Sequence, residues 1–131
     1  MEKGTPHSKL SVVKSLVEAG RVRATASAFN GARELGIDDL DGMCAVVMTL
    51  TSDNFHKSMT THSDHRIWQD VYRGKTLGGQ DVYLKLTVID DVRRAQKLSA
   101  YMDAHQLQRS LSEFGTVKLQ PYIRPFHGLT A

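Results

Sequence analysis

The sequence predicts an α+β domain, with N-terminal helices packed on an antiparallel β-sheet. Two observations carry this. Apolar residues recur at helical spacing as far as Leu50, and at Val82, Leu84, Leu86 and Val88 the period becomes two. The turn cluster Thr51-Ser52-Asp53-Asn54 separates the two regimes.

The first predicted helix has readable ends. Thr5 can cap it, and Pro6 suits a first helical position, where no backbone N–H is needed. Leu10, Val13, Leu16 and Val17 form its apolar stripe, opposite Lys9, Lys14 and Glu18, and Gly20 is a natural stop. Val22 to Thr25 reads as a short strand or an extended linker. A second helix opens at Thr25 or Ser27, buries Ala28, Ala32 and Leu35, and ends at Gly36. A third starts at Asp39 or Asp41, whose carboxylate can accept free N–H groups, and carries Leu40, Met43, Val47 and Leu50.

Beyond the turn cluster, His56 to Thr61 is a candidate strand, followed by a turn at Ser63-Asp64. Ile67 to Arg73 is β-branched and aromatic and reads as a second strand. Gly74 to Gln80 reads as a hairpin loop. In the next strand Val82, Leu84, Leu86 and Val88 alternate with Tyr83, Lys85 and Thr87, giving one apolar and one polar face. Residues 92–114 return to helical character, with Ala100, Ala104, Leu107, Leu111 and Phe114 as a stripe and Gly115 as a stop. Val117, Leu119 and Ile123 alternate as in a strand, and Pro121 assigns that strand to a sheet edge.

Composition narrows the function. A chain of 131 residues is long enough for one buried core, and 40% hydrophobic with 24% charged residues excludes a disordered chain. No apolar run approaches the ~20 residues of a membrane span. Met1-Glu2-Lys3-Gly4 leads into no apolar signal core, and Cys44 is the single cysteine. These features point to a reducing, cytoplasmic setting without disulfides. Residues 1–91 carry 11 Lys+Arg against 12 Asp+Glu, and residues 92–131 carry 6 against 2, which together make the net +3. The C-terminal stretch is thus a compositionally distinct, basic piece.

Residues 57–65 are dense in polar groups, and the following strands add Trp68, Gln69, Asp70, Tyr72, Arg73, Tyr83 and Lys85. Cations for phosphate, aromatic faces for bases and proton donors together form the inventory of an RNA-processing surface. The same residues also suit an ordinary solvated sheet face. His62 and His65, with His56 upstream, have a spacing that admits a metal, but without a third fixed ligand the signal is weak, and for His65 a hydrogen-bonded turn histidine beside Asp64 is favoured over a general acid/base role. Cys44 lies on the apolar side of the third helix, as a buried, inert thiol does. Gly78-Gly79 lacks the Gly-Lys-Ser/Thr ending of a phosphate loop.

Residues 1–92 resemble the motility quorum-sensing regulator toxins, the MqsR family. The resemblance rests on Met1-Glu2-Lys3, Thr5-Pro6-His7, Ala32-Arg33-Glu34-Leu35-Gly36, Asp41-Gly42-Met43-Cys44 and Lys57-Ser58-Met59-Thr60-Thr61. Its most specific parts are Ser63-Asp64-His65, Ile67-Trp68-Gln69-Asp70-Val71-Tyr72-Arg73 and Val82-Tyr83-Leu84-Lys85-Leu86-Thr87-Val88-Ile89. It implies a RelE-like fold and a type II toxin, an endoribonuclease cutting mRNA at GC-containing sites such as GCU without metal or cofactor. The implied partner is an antitoxin with a zinc-binding half and a helix-turn-helix half, through which alone operator DNA is reached. Toxicity in the family depends on a lysine, a glutamine, a tyrosine and a second lysine near the C-terminus. The first three carry over to Lys57, Gln69 and Tyr83, with His65, Arg73 and Lys85 as second-rank candidates.

The chain departs from the family after Asp90-Asp91-Val92. The family's final lysine-bearing strand is absent, and Arg93–Ala131 stands in its place, as in a fusion or a frameshifted reading. The expected organisation is therefore a toxin domain over 1–92 and an atypical helix-plus-strand extension over 93–131. Val117–Ile123 is the candidate substitute strand, with Lys118 as its cation. If nothing replaces the lost strand, the alternative is a catalytically impaired protein that binds antitoxin and regulates its operon.

Overall fold

The computed structural model describes residues 1–62, 64–89 and 116–119, and the backbone of 124–125. In chain order the elements are β1 (Glu2–Lys3), α1 (Leu10–Glu18), β2 (Val22–Ala24), α2 (Ala26–Glu34) and α3 (Leu40–Thr49). A 3-10 turn (Ser52–Asn54) leads into β3 (Phe55–Thr60), β4 (Trp68–Lys75) and β5 (Asp81–Ile89), and β6 (Thr116–Leu119) and β7 (Arg124–Pro125) follow. The strands join in one sheet, ordered β1-β3-β4-β5-β6-β2, with β7 also paired to β5. Every pairing is antiparallel except that of β2 with β6, which is parallel. The α+β prediction holds.

One face of the sheet carries the core. Tyr72, Val82, Leu84, Leu86, Val117 and Leu119 pack against Val13, Leu16, Ala28, Ala32, Met43, Val47 and Leu50 of the three helices. The stripes read from the sequence are these inward faces, with Leu10 and Leu40 packed at the rim. Gly20 and Gly36 take positive φ, at 76° and 78°, just past the ends of α1 and α2. Thr25 caps α2, its hydroxyl accepting the Ala28 N–H at 3.1 Å, and Asp39 caps α3 by accepting the Gly42 N–H at 2.7 Å. Ser27 and Asp41, the alternative caps, lie inside their helices. Val22 to Ala24 is a strand and not a linker.

Three expectations are corrected. α1 begins at Leu10, not at Pro6, and its cap position, Lys9, makes no side-chain cap hydrogen bond. The residues before it are held from elsewhere: the buried Asp70 carboxylate accepts the N–H groups of His7 and Ser8, each at 2.9 Å. Second, Gly74 belongs to β4 and not to the loop. A Cβ there would stand 2.9 Å from Leu50 Cδ2, so helix-to-sheet packing sets this glycine, not a turn. Third, β6 is no edge strand. It lies between β5 and β2, and Val117 and Leu119 are fully buried. The helix expected over 92–114, together with Pro121 and Ile123, lies outside the described residues. Among the described residues, no helix is long and apolar enough to cross a membrane.

Candidate functional site

Among the described residues the three helices all pack on one face of the sheet and the second face carries none, and strand alternation decides which side chains stand on that helix-free face. Val71 pairs with Lys57 and Lys85, and Arg73 pairs with Tyr83. Because residues i and i+2 share a face, Lys57, Gln69, Arg73, Tyr83 and Lys85 all project from this side, while Tyr72, Leu84 and Leu86 point into the core. Five of the six residues singled out in the sequence are thus brought together from β3, β4 and β5. The sixth, His65, stands exposed on the turn joining β3 to β4, beyond the Gln69 end of the hairpin.

Lys57 Nζ donates to Glu2 Oε1 at 2.7 Å, reaching across to β1. That hydrogen bond, and then the lysine charge, hold the Glu2 carboxyl below its ordinary pKa. Gln69 is largely buried, at 9% exposure, in the middle of β4. At the other end of the face, one guanidinium nitrogen of Arg73 donates to the Tyr83 hydroxyl at 3.3 Å and to His56 Nε2 at 3.1 Å. The guanidinium carbon also lies 5.6 Å from the Tyr83 ring centroid, within cation–π range. The His56 and Tyr83 rings stand 6.0 Å apart at a tilt of 55°.

His56 joins this site although the sequence suggested it only as a metal ligand. Burial, then the Arg73 and Lys57 charges, push its pKa below the ordinary histidine value, and Glu2 opposes them. The lone sequence signal was its place beside Lys57. The metal reading gains nothing from the geometry. His62 and His65 sit near the β3–β4 turn, His56 faces Arg73, and among the described residues no three His, Cys, Asp or Glu side chains cluster. Asp64 is turned to Arg66, accepting its backbone N–H at 2.9 Å and its Nε at 3.0 Å. Cys44 is partly buried, and desolvation, then Asp41, push its thiol pKa up, which disfavours the nucleophilic thiolate.

β6 extends the face. Lys118 pairs with Thr87 on one side and with Arg23 on the other, so all three stand on the helix-free side. A row of cations therefore continues from β3 through β5 to β2.

The family model described as "Motility quorum-sensing regulator, toxin of MqsA" matches residues 5–99. The mRNA interferase toxin MqsR of Escherichia coli (strain K12) is 62% identical over 92 residues, covering 70% of this chain and 92% of that protein.

Proposed function

The chain belongs to the motility quorum-sensing regulator toxin family, and from that premise we propose that it is a toxin that cleaves mRNA at GC-containing sites such as GCU, by 2′-OH attack. The observation that carries this reading is the convergence of Lys57, Gln69, Arg73, Tyr83 and Lys85 on the helix-free face. Cleavage by 2′-OH attack requires a base at the ribose, charge on the phosphorane and an acid at the departing 5′-oxygen. Side chains can supply all three, so the reaction proposed is metal-independent. Lys57 stabilises the charged phosphate. Its ion pair with Glu2 is solvent-accessible, with side chains 34% and 58% exposed, and such pairs are worth ~0–1 kcal/mol. An RNA phosphate therefore displaces Glu2 at little cost. Gln69 donates its amide to phosphate or base. Tyr83 donates its phenolic proton to the 5′-oxygen, and Arg73, 3.3 Å from that hydroxyl, stabilises the phenolate left behind.

The partners are mRNA as substrate and a cognate antitoxin of the zinc-binding, helix-turn-helix kind, which alone contacts operator DNA. The alternative, an impaired antitoxin-binding regulator, is motivated by the lost terminal strand. The pairing of β6 with β5, and Lys118 on the shared face, favour the catalytic reading.

Purified chain should cut a GCU-containing RNA, and Lys57→Ala, Gln69→Ala and Tyr83→Ala should each slow cleavage by about 10-fold or more. Circular dichroism should show Lys57→Ala and Tyr83→Ala folded, because both side chains are partly exposed and outside the apolar core, and it separates lost chemistry from lost folding at the buried Gln69. Intact RNA at every concentration of wild-type chain would promote the regulator reading.

A further inference from the structure

β3 contains one residue more than its partner strand. Phe55 pairs with Tyr72 and Lys57 with the next residue back, Val71, which leaves His56 as the extra residue of a β-bulge. In a regular strand, His56 and Lys57 point to opposite faces. Here Lys57 reaches Glu2 on the helix-free face, and His56 meets Arg73 and Tyr83 on that same face. Bulges re-aim side chains in this way and are frequent beside active sites.

The hydrogen bond to Arg73 fixes the state of the ring. A guanidinium only donates, so the His56 Nε2 that it meets at 3.1 Å carries a lone pair, and the proton of the neutral ring is on Nδ1. We propose that His56 is the base that removes the 2′-OH proton during RNA cleavage, its Nε2 lone pair held toward Tyr83 by Arg73. This rests on the ribonuclease reading above. When the scissile phosphate enters, Arg73 turns its N–H to a phosphate oxygen and releases Nε2. The ribose 2′-O–H proton passes to Nε2, the 2′-oxygen bonds to phosphorus, and the bond from phosphorus to the 5′-oxygen breaks. That oxygen takes the Tyr83 proton, and solvent returns the proton on His56 to the phenolate. The base on β3 and the acid on β5 thus face each other across β4, their rings 6.0 Å apart.

The groups facing His56 are Arg73 of β4 and Tyr83 of β5, with Lys57 beside it on β3 and Glu2 of β1 beyond Lys57. Burial, then the Arg73 and Lys57 charges, keep the ring neutral to lower pH than an ordinary histidine, and Glu2 works against them. A base of this kind is ready at neutral pH.

The test is single-turnover cleavage of a GCU-containing RNA by the full chain from about pH 5 to pH 9, bracketing the ordinary histidine value. Wild type should give a rising limb with a midpoint below about 6.5. The imidazole of His56, followed by NMR in the wild-type protein, should titrate at that midpoint. His56→Gln and His56→Ala should lose about 100-fold or more in rate and lose the limb. Both should still bind a 2′-deoxy analogue of the RNA as wild type does, and added imidazole should restore part of the His56→Ala rate. An NMR titration that misses the kinetic midpoint overturns the proposal, whether or not the variants fold. So does wild-type cleavage by either variant, or a loss confined to RNA binding. In those cases the ribonuclease reading survives. A wild-type chain that leaves RNA intact defeats the ribonuclease reading itself.

Discussion

Tyr72 and His56 are neighbours of the same sheet with opposite pH behaviour. Tyr72 is 1% exposed, and burial, then the Asp70 charge, raise its pKa to about 12. In the unfolded chain the phenol ionises near 10. Above that pH the unfolded state holds fewer protons, so stability falls as pH rises and levels off once the folded phenol ionises too. Melting temperature should therefore fall more steeply in wild type than in Tyr72→Phe between about pH 9 and pH 11, and parallel curves would contradict the assignment. For His56 the sign reverses. Its depressed pKa gives stability that is present above about 6.5 and is lost as pH falls through the folded value. These residues were not equally legible in the sequence. Alternation across residues 82–88 already placed Tyr83 and Lys85 on the polar face. The bulge that turns His56 to the same face has no signature in Phe55-His56-Lys57, because it arises from pairing with β4.

Elements were legible where local forces set them and illegible where distant ones did. The glycines after α1 and α2 and the caps of α2 and α3 are short-range chemistry and could be read directly. The start of α1 could not, because its lead-in is held by Asp70, far along the chain. Gly74 looked like a turn residue, and only the approach of Leu50 reveals it as a strand position. The fate of the C-terminal piece was the least readable. Nothing local announces that β6 pairs with β5 on one side and, in parallel, with β2 on the other. Its backbone is also tied to the N-terminal half: Val117 N–H donates to Arg21 O at 3.0 Å, and Leu119 O accepts the Thr25 N–H at 3.2 Å. Leu119→Ala should therefore cost about 2–5 kcal/mol, the usual range for emptying a fully buried leucine site. Chemical denaturation measures this directly. A change within ~0.5 kcal/mol, the size of a surface substitution, would mean that β6 is not part of the core. Deleting residues 90–131 should be harsher still. It leaves β5 and β2 without their shared neighbour and opens an apolar edge to aggregation.

At the scale of the whole molecule, the three helices among the described residues close one side of the sheet, and His56, Lys57, Gln69, Arg73, Tyr83 and Lys85 stand on the other. Lys118 and Arg23 extend the same face past β5 onto β6 and β2. The central claim is that this face cuts RNA through the ribose 2′-hydroxyl. The most direct measurement compares a GCU-containing RNA with the same RNA carrying one 2′-deoxy nucleotide at the cut position, both incubated with the chain in EDTA. The all-ribose RNA should be cut to a product ending in a 2′,3′-cyclic phosphate, and the 2′-deoxy RNA should stay intact. Cleavage of the 2′-deoxy RNA at that position, or loss of all cleavage when metal is chelated, would contradict it.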